Sequence, residues 1–198
     1  MNLKLSRRII GLTGGISTGK STVSDYLASS YKLPILDADI YAREAVQPGS
    51  PPLDEIVKRY GEGMLLADGM LNRRELGNIV FSNSDERLWL EQQIHPYVRD
   101  RMNSALLSLS QNPIIVLSIP LLFEANLTNL VTEIWVVYCS LKQQIARLMQ
   151  RNNLSLDEAK ARITSQMPLK EKCDRADLIL DNSSTLEALF KQVDSALN

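Results

Sequence analysis

The run Gly14-Gly15-Ile16-Ser17-Thr18-Gly19-Lys20-Ser21 leaves this chain few ways to fold. It follows the apolar stretch Ile9-Ile10-Gly11-Leu12-Thr13, and after it Val23 and Leu27 fall on one face of a predicted helix over 19–30. A strand, a glycine-rich turn and a helix in that order make a phosphate-binding loop. Glycine admits positive φ and close backbone approach, so successive N–H groups can face phosphate oxygens at the positive end of the helix dipole. In such a loop Gly14, Ser17, Thr18 and Gly19 line the phosphates, and Lys20 brings a mobile cation to the β- and γ-phosphates. Ser21 is placed to ligate Mg²⁺, and Thr22 to reach the α-phosphate. The pattern predicts a site for Mg²⁺-bound ATP, against the plain alternative of a glycine turn with no function.

The other apolar runs extend the same architecture. Leu33–Leu36, Ile114–Leu117, Ile134–Tyr138 and Leu178–Leu180 are continuous apolar strands separated by helical patterns, which indicates a five-stranded parallel sheet flanked by helices, an α/β fold. Ser140 with Gln143, Ser155 with Glu158 and Ser184 with Glu187 predict three capped helix starts. Between Leu53 and Gln111 no strand pattern occurs. Asn72 with Glu75 predicts a cap there, and an amphipathic stretch runs from about Ser84 to Leu109, so this region is expected to be a helical insertion.

Three further groups could carry chemistry. Asp37 and Asp39 follow the second strand, and the carboxyl ends of parallel strands line one crevice. Asp39 there suits an acceptor hydroxyl that must be oriented and lose its proton. The alternatives are that Asp37 or Asp39 caps the following helix and that Asp39 forms an ordinary surface pair with Arg43. Arg147, Arg151 and Arg162 lie on a predicted helix pair and either converge as a charge-neutralising lid or form a solvated face. His95, the one histidine, suits a helix-boundary hydrogen bond or a substrate contact.

Composition removes several classes. Twenty-two basic and 23 acidic residues give a net charge of −1, so no general positive field gathers nucleic acid or anionic lipid. With 44% hydrophobic residues over 198 positions the chain can bury a core. Cys139 and Cys173 stand apart without a metal-ligand spacing, which suits inert thiols in a reducing compartment. No secretory or membrane-spanning pattern is evident, and a cytoplasmic protein is expected. Guanine-recognition motifs of the Asn-Lys-x-Asp and Asp-x-x-Gly type are absent, which argues against a GTP-dependent switch.

Taken together, Gly11–Ile16 leading into Thr18-Gly19-Lys20-Ser21, Asp37-Ala38-Asp39 with Arg43, His95-Pro96-Tyr97-Val98 and Pro120-Leu121-Leu122-Phe123-Glu124 resemble the dephospho-coenzyme A kinases. Arg147 to Arg151, Ala161-Arg162-Ile163, Ser165-Gln166-Met167 and Ala176-Asp177 with Asn182 extend the resemblance over about residues 8 to 183. It implies a P-loop kinase that phosphorylates the ribose 3′-hydroxyl of dephospho-coenzyme A with ATP, as a monomer or weak homo-oligomer without nucleic-acid or membrane partners. It also implies Asp39 as base or hydroxyl-orienting group, Lys20 and Arg147 as charge stabilisers, and Asp39, Arg43 and His95 on the acceptor side, with the Pro120–Glu124 turn bordering the acceptor cleft. The expected division is a nucleotide-binding core (8–46, 112–140 and 174–198), a helical substrate-side insertion (47–111) and a helical lid (141–173). Another small-molecule or nucleoside monophosphate kinase is the competing reading. Two departures stand out: Ser17 where the family usually has glycine, and Asn152 where many relatives carry an acid. If position 17 needs positive φ, serine there is strained.

Overall fold

The computed structural model describes residues 7–198. They form two compact units, residues 7–36 with 109–198, and residues 37–108.

The first unit is built on a five-stranded sheet in the order β2-β3-β1-β4-β5: β1 (Arg8–Gly14), β2 (Ile35–Asp37), β3 (Ile114–Ser118), β4 (Glu133–Tyr138) and β5 (Leu178–Asp181). The ladders joining β1 to β3, β1 to β4 and β4 to β5 are parallel. Parallel strands are covered on both faces, which is why these runs carry no polar alternation. Ile10, Leu12, Val116, Trp135, Val137 and Leu180 pack with Val23 and Leu27 of α1 (Lys20–Tyr31) and with Leu189 and Val193 of α9 (Leu186–Leu197). Asp194 of α9 accepts from the hydroxyls of Tyr26 and Tyr31, both at 2.7 Å, and so fastens α1 to α9. The bond to Asp194, then burial, pushes the Tyr31 phenol up to about 12.

The rest of this unit is α6 (Leu141–Asn152), α7 (Leu156–Thr164) and α8 (Leu169–Asp174). The capping boxes predicted at Ser140/Gln143 and Ser155/Glu158 both form with their reciprocal bonds. The third start lies one residue later than predicted. Thr185, not Ser184, caps α9 by accepting from the Ala188 N–H, because its own hydroxyl stands three residues before an amide of the first turn.

The second unit is helical: α2 (Ala38–Glu44), α3 (Pro51–Tyr60), α4 (Arg73–Ser82) and α5 (Ser84–Ser108). Its core is Val46, Leu53, Ile56, Met64, Leu71 and Leu76, with Trp89 and Ile94 of α5 packed against it. Residues 37–46, expected with the core, group with this unit because α2 packs on α5. Asn72 caps α4 through the Glu75 N–H at 3.2 Å. Helix α5 continues through Pro96, so His95 is exposed in a helix interior and not at a helix boundary, contrary to the simpler expectation for it. Among the described residues no helix is long and apolar enough to cross a membrane.

Candidate functional site

Between the end of β1 and the start of α1 the chain turns through the glycine-rich loop, and its carbonyls are held from outside. Gly14 O accepts from Lys172 Nζ at 3.4 Å, Ile16 O from Gln144 Nε2 at 2.8 Å, and Thr18 O from Asn182 Nδ2 at 2.7 Å. All peptides here are trans, and a trans peptide sets each C=O antiparallel to the next N–H. The amides of Gly15, Ser17 and Gly19 therefore point away from those three side chains, toward the opposite side of the loop. Gln166 Oε1 takes the Ile16 N–H at 3.0 Å, so both polar groups of Ile16 are used on the supporting side. At the start of α1 the first amides have no intrahelical acceptor, and no acidic side chain occupies the first turn. That combination suits an anion.

Two glycines are required by space, and Gly19 by conformation as well. A β-carbon on Gly14 would lie 2.6 Å from Thr18 Oγ1 and 2.7 Å from Val137 O. Gly19, at φ 104°, would bring one to 2.2 Å from Asn182 Nδ2. Ser17 adopts φ 59°, so this position does take the left-handed conformation in which serine is strained, and its Oγ is buried without a hydrogen-bond partner.

Lys20 reaches from the first residue of α1 to Ser118 Oγ at 2.5 Å. Ser118 is fully buried, ends β3 and pairs in register with Leu12. Its hydroxyl orients the loop lysine, a role that no motif in the sequence marks. Ser21 is exposed in the first turn of α1, and Thr22 beside it is half-buried. No group of three or more His, Cys, Asp or Glu side chains that could hold a metal occurs among the described residues.

Of the three arginines, Arg147 alone is tied to the loop's supports, donating from Nη2 to Asn182 O at 3.1 Å. Arg151 turns to the side chain of Asn152 at 2.8 Å, and Arg162 is exposed in the last turn of α7. No hydrogen bond joins the three among the described residues. A cavity of about 480 Å³ opens beside Gly15, lined in part by Cys139, Gln144, Ile163, Gln166 and Met167. Both cysteines are free, and burial pushes both thiols up, which keeps them protonated and unreactive.

In the helical unit Asp37 is the cap of α2, its Oδ1 accepting from the Asp39 N–H at 2.8 Å. The capping role open to either aspartate thus falls to Asp37. Asp39 is exposed one residue into α2 and has no ion pair with Arg43, which is also exposed.

The supports Gln144 and Lys172 belong to no motif that points at the loop, since each reaches it from more than a hundred residues away. For Lys172 a trace exists: at helical spacing it shares a stripe with Leu169 and Cys173, an odd place for a lysine.

This geometry can be set beside known proteins. A curated dephospho-CoA kinase of Trichormus variabilis is 64% identical over 194 residues, 98% of each chain. Among solved structures, TT1252 from Thermus thermophilus superposes with TM-score 0.81 at 37% identity, covering 96% of both chains. A dephospho-CoA kinase from Campylobacter jejuni gives TM-score 0.71 at 28% identity, over 96% of this chain and 94% of that one. The family model for dephospho-CoA kinase matches residues 8–188, from the first residue of β1 into α9, so that loop, supports and helical unit all fall within it and the chain belongs to the dephospho-CoA kinase family.

Proposed function

We propose that the chain transfers the γ-phosphoryl group of ATP to the ribose 3′-hydroxyl of dephospho-coenzyme A, giving coenzyme A and ADP. The observation that carries the nucleotide half is the outward anchoring of the Gly14, Ile16 and Thr18 carbonyls, which turns the intervening amides toward the phosphates. Family membership carries the acceptor half. The 3′-oxygen attacks the γ-phosphorus, its proton passes to Asp39, and the bond to the β–γ bridging oxygen breaks to release ADP. Lys20, aimed by Ser118, neutralises charge growing on the β- and γ-oxygens. Arg147 adds positive charge near the nucleotide side of the loop. Arg43 and His95 are assigned to the acceptor.

In a phosphate loop of this kind the Ser or Thr after the lysine holds Mg²⁺ together with substrate phosphates and water, and the exposed Ser21 hydroxyl in the first turn of α1 fits that mode. The ion would neutralise charge on the β- and γ-phosphates; Ser21 would hold it in register with the loop.

The test is ADP release from Mg-ATP with dephospho-coenzyme A, beside AMP, CMP and shikimate as competing acceptors, with the product phosphate located on the ribose. Selective turnover with the phosphate on the 3′-oxygen is expected. Lys20→Ala should lose nearly all turnover, whereas Asp39→Asn should bind ATP normally and lose transfer. Normal turnover by Asp39→Asn would remove Asp39 from the chemistry, and turnover with another acceptor alone would overturn the substrate assignment.

A further inference from the structure

Lys172 is fully buried, a position a lysine occupies only when its ammonium is satisfied. Each of its three N–H donors has an acceptor: Glu124 Oε1 at 2.9 Å, Pro120 O at 3.0 Å and Gly14 O at 3.4 Å. Two of these acceptors are shared. Glu124 Oε1 also takes the Met167 N–H at 3.0 Å, and Pro120 O also takes the Thr13 hydroxyl at 3.1 Å. One ammonium thus joins the end of β1, the turn after β3 and the segment running from α7 into α8. The residue before Met167 is Gln166, which holds the Ile16 N–H.

A buried ion pair is a poor device for stability, because well-packed apolar residues of the same volume do as well or better. What an apolar side chain cannot do is hold a carbonyl in a fixed direction. Of the two carbonyls that Lys172 holds, one belongs to Gly14, the first residue of the phosphate loop, and its direction sets that of the Gly15 amide and the turn that follows.

We infer that Lys172 is a positioning residue for phosphoryl transfer, acting through the phosphate loop, and that Glu124 fixes it there while making the lid's return segment part of the same support. Glu124 accordingly faces the back of the loop through this pair, a role beyond the one expected of it at an acceptor cleft. The inference rests on the proposed ATP site, and the two can fail separately.

The experiment compares the full chain with Lys172→Met and with the double variant Lys172→Met/Glu124→Gln, measuring Mg-ATP binding by calorimetry, steady-state kinetics for both substrates, and Tm. The double variant leaves no charge uncompensated and keeps an acceptor for the Met167 amide, so it remains informative if the single variant does not fold. Both variants are expected to weaken Mg-ATP, in Kd and KM, by about 10-fold or more, the scale of a lost charge-assisted hydrogen bond. In the single variant the KM for dephospho-coenzyme A should stay within about 2-fold, since Lys172 acts through the ATP loop alone. The double variant should regain Tm without regaining ATP affinity. Recovery of wild-type ATP affinity together with Tm would overturn the inference and leave Lys172 as a stability element. A wild-type chain that fails to bind Mg-ATP would instead overturn the proposed function itself.

Discussion

Ser17 shows how a single β-carbon is weighed in this loop. At φ 59° it occupies a conformation that costs an L-residue roughly 1–2 kcal/mol, and its buried hydroxyl has no partner to offset that. Ser17→Gly should therefore stabilise the chain by about 1 kcal/mol net of glycine's extra unfolded-state entropy. That corresponds to a Tm rise of about 2–4 °C for a chain of this size, readable by calorimetry. A Tm that falls would mean that the serine side chain contributes packing that outweighs its backbone strain. The strain itself was legible beforehand as a condition, because serine in a glycine-rich loop raises the question of φ. Which residues hold the loop was not legible. Gln144, Lys172 and Asn182 each donate one hydrogen bond to a carbonyl of the loop, and a backbone carbonyl leaves no mark on sequence.

Whole elements were easier to see, since hydrophobic periodicity and capping are local. The five apolar runs became the five strands, and the boxes at Ser140 and Ser155 formed because cap and N3 residue lie within one turn. Two local rules were overridden. The start of α9 slipped from Ser184 to Thr185, and α5 runs through Pro96 despite the missing amide, which tertiary packing of Ile94, Val98 and Met102 outweighs. Helix α6 presents Gln144 to the loop and Arg147 to Asn182, so its start matters to the site. Ser140→Ala should cost about 1 kcal/mol by removing the cap, seen as a lower midpoint in urea unfolding with the m-value unchanged. An unaltered midpoint would show that the bond of Gln143 to Ser183 O suffices to fix that start.

At the scale of the molecule, the helical unit carries an acid-sensitive clasp of its own. Arg59 donates to both oxygens of Glu86 at 2.8 and 2.9 Å, the Tyr60 hydroxyl donates to the same carboxylate, and these bonds, Arg59 first, hold its carboxyl down to about 2. A carboxyl depressed by folding stabilises the folded state above its ordinary value near 4.5, and that contribution is lost as pH falls from there through about 2. Acid unfolding followed by circular dichroism should show Glu86→Gln less stable at pH 7 and less sensitive to pH between about 4.5 and 2 than the wild type. Equal slopes would show that the clasp contributes nothing to the linkage. The distant supports of the phosphate loop also set a schedule for the growing chain. The loop is made before its supports, since the side chains that shape it lie 128 to 164 residues further on. At the usual pace of translation that gap lasts roughly 6–33 s. Throughout that interval the nascent chain displays the glycine-rich motif without the framework that directs its amides. The framework that shapes the loop is thus complete only once β5 and Asn182 have emerged.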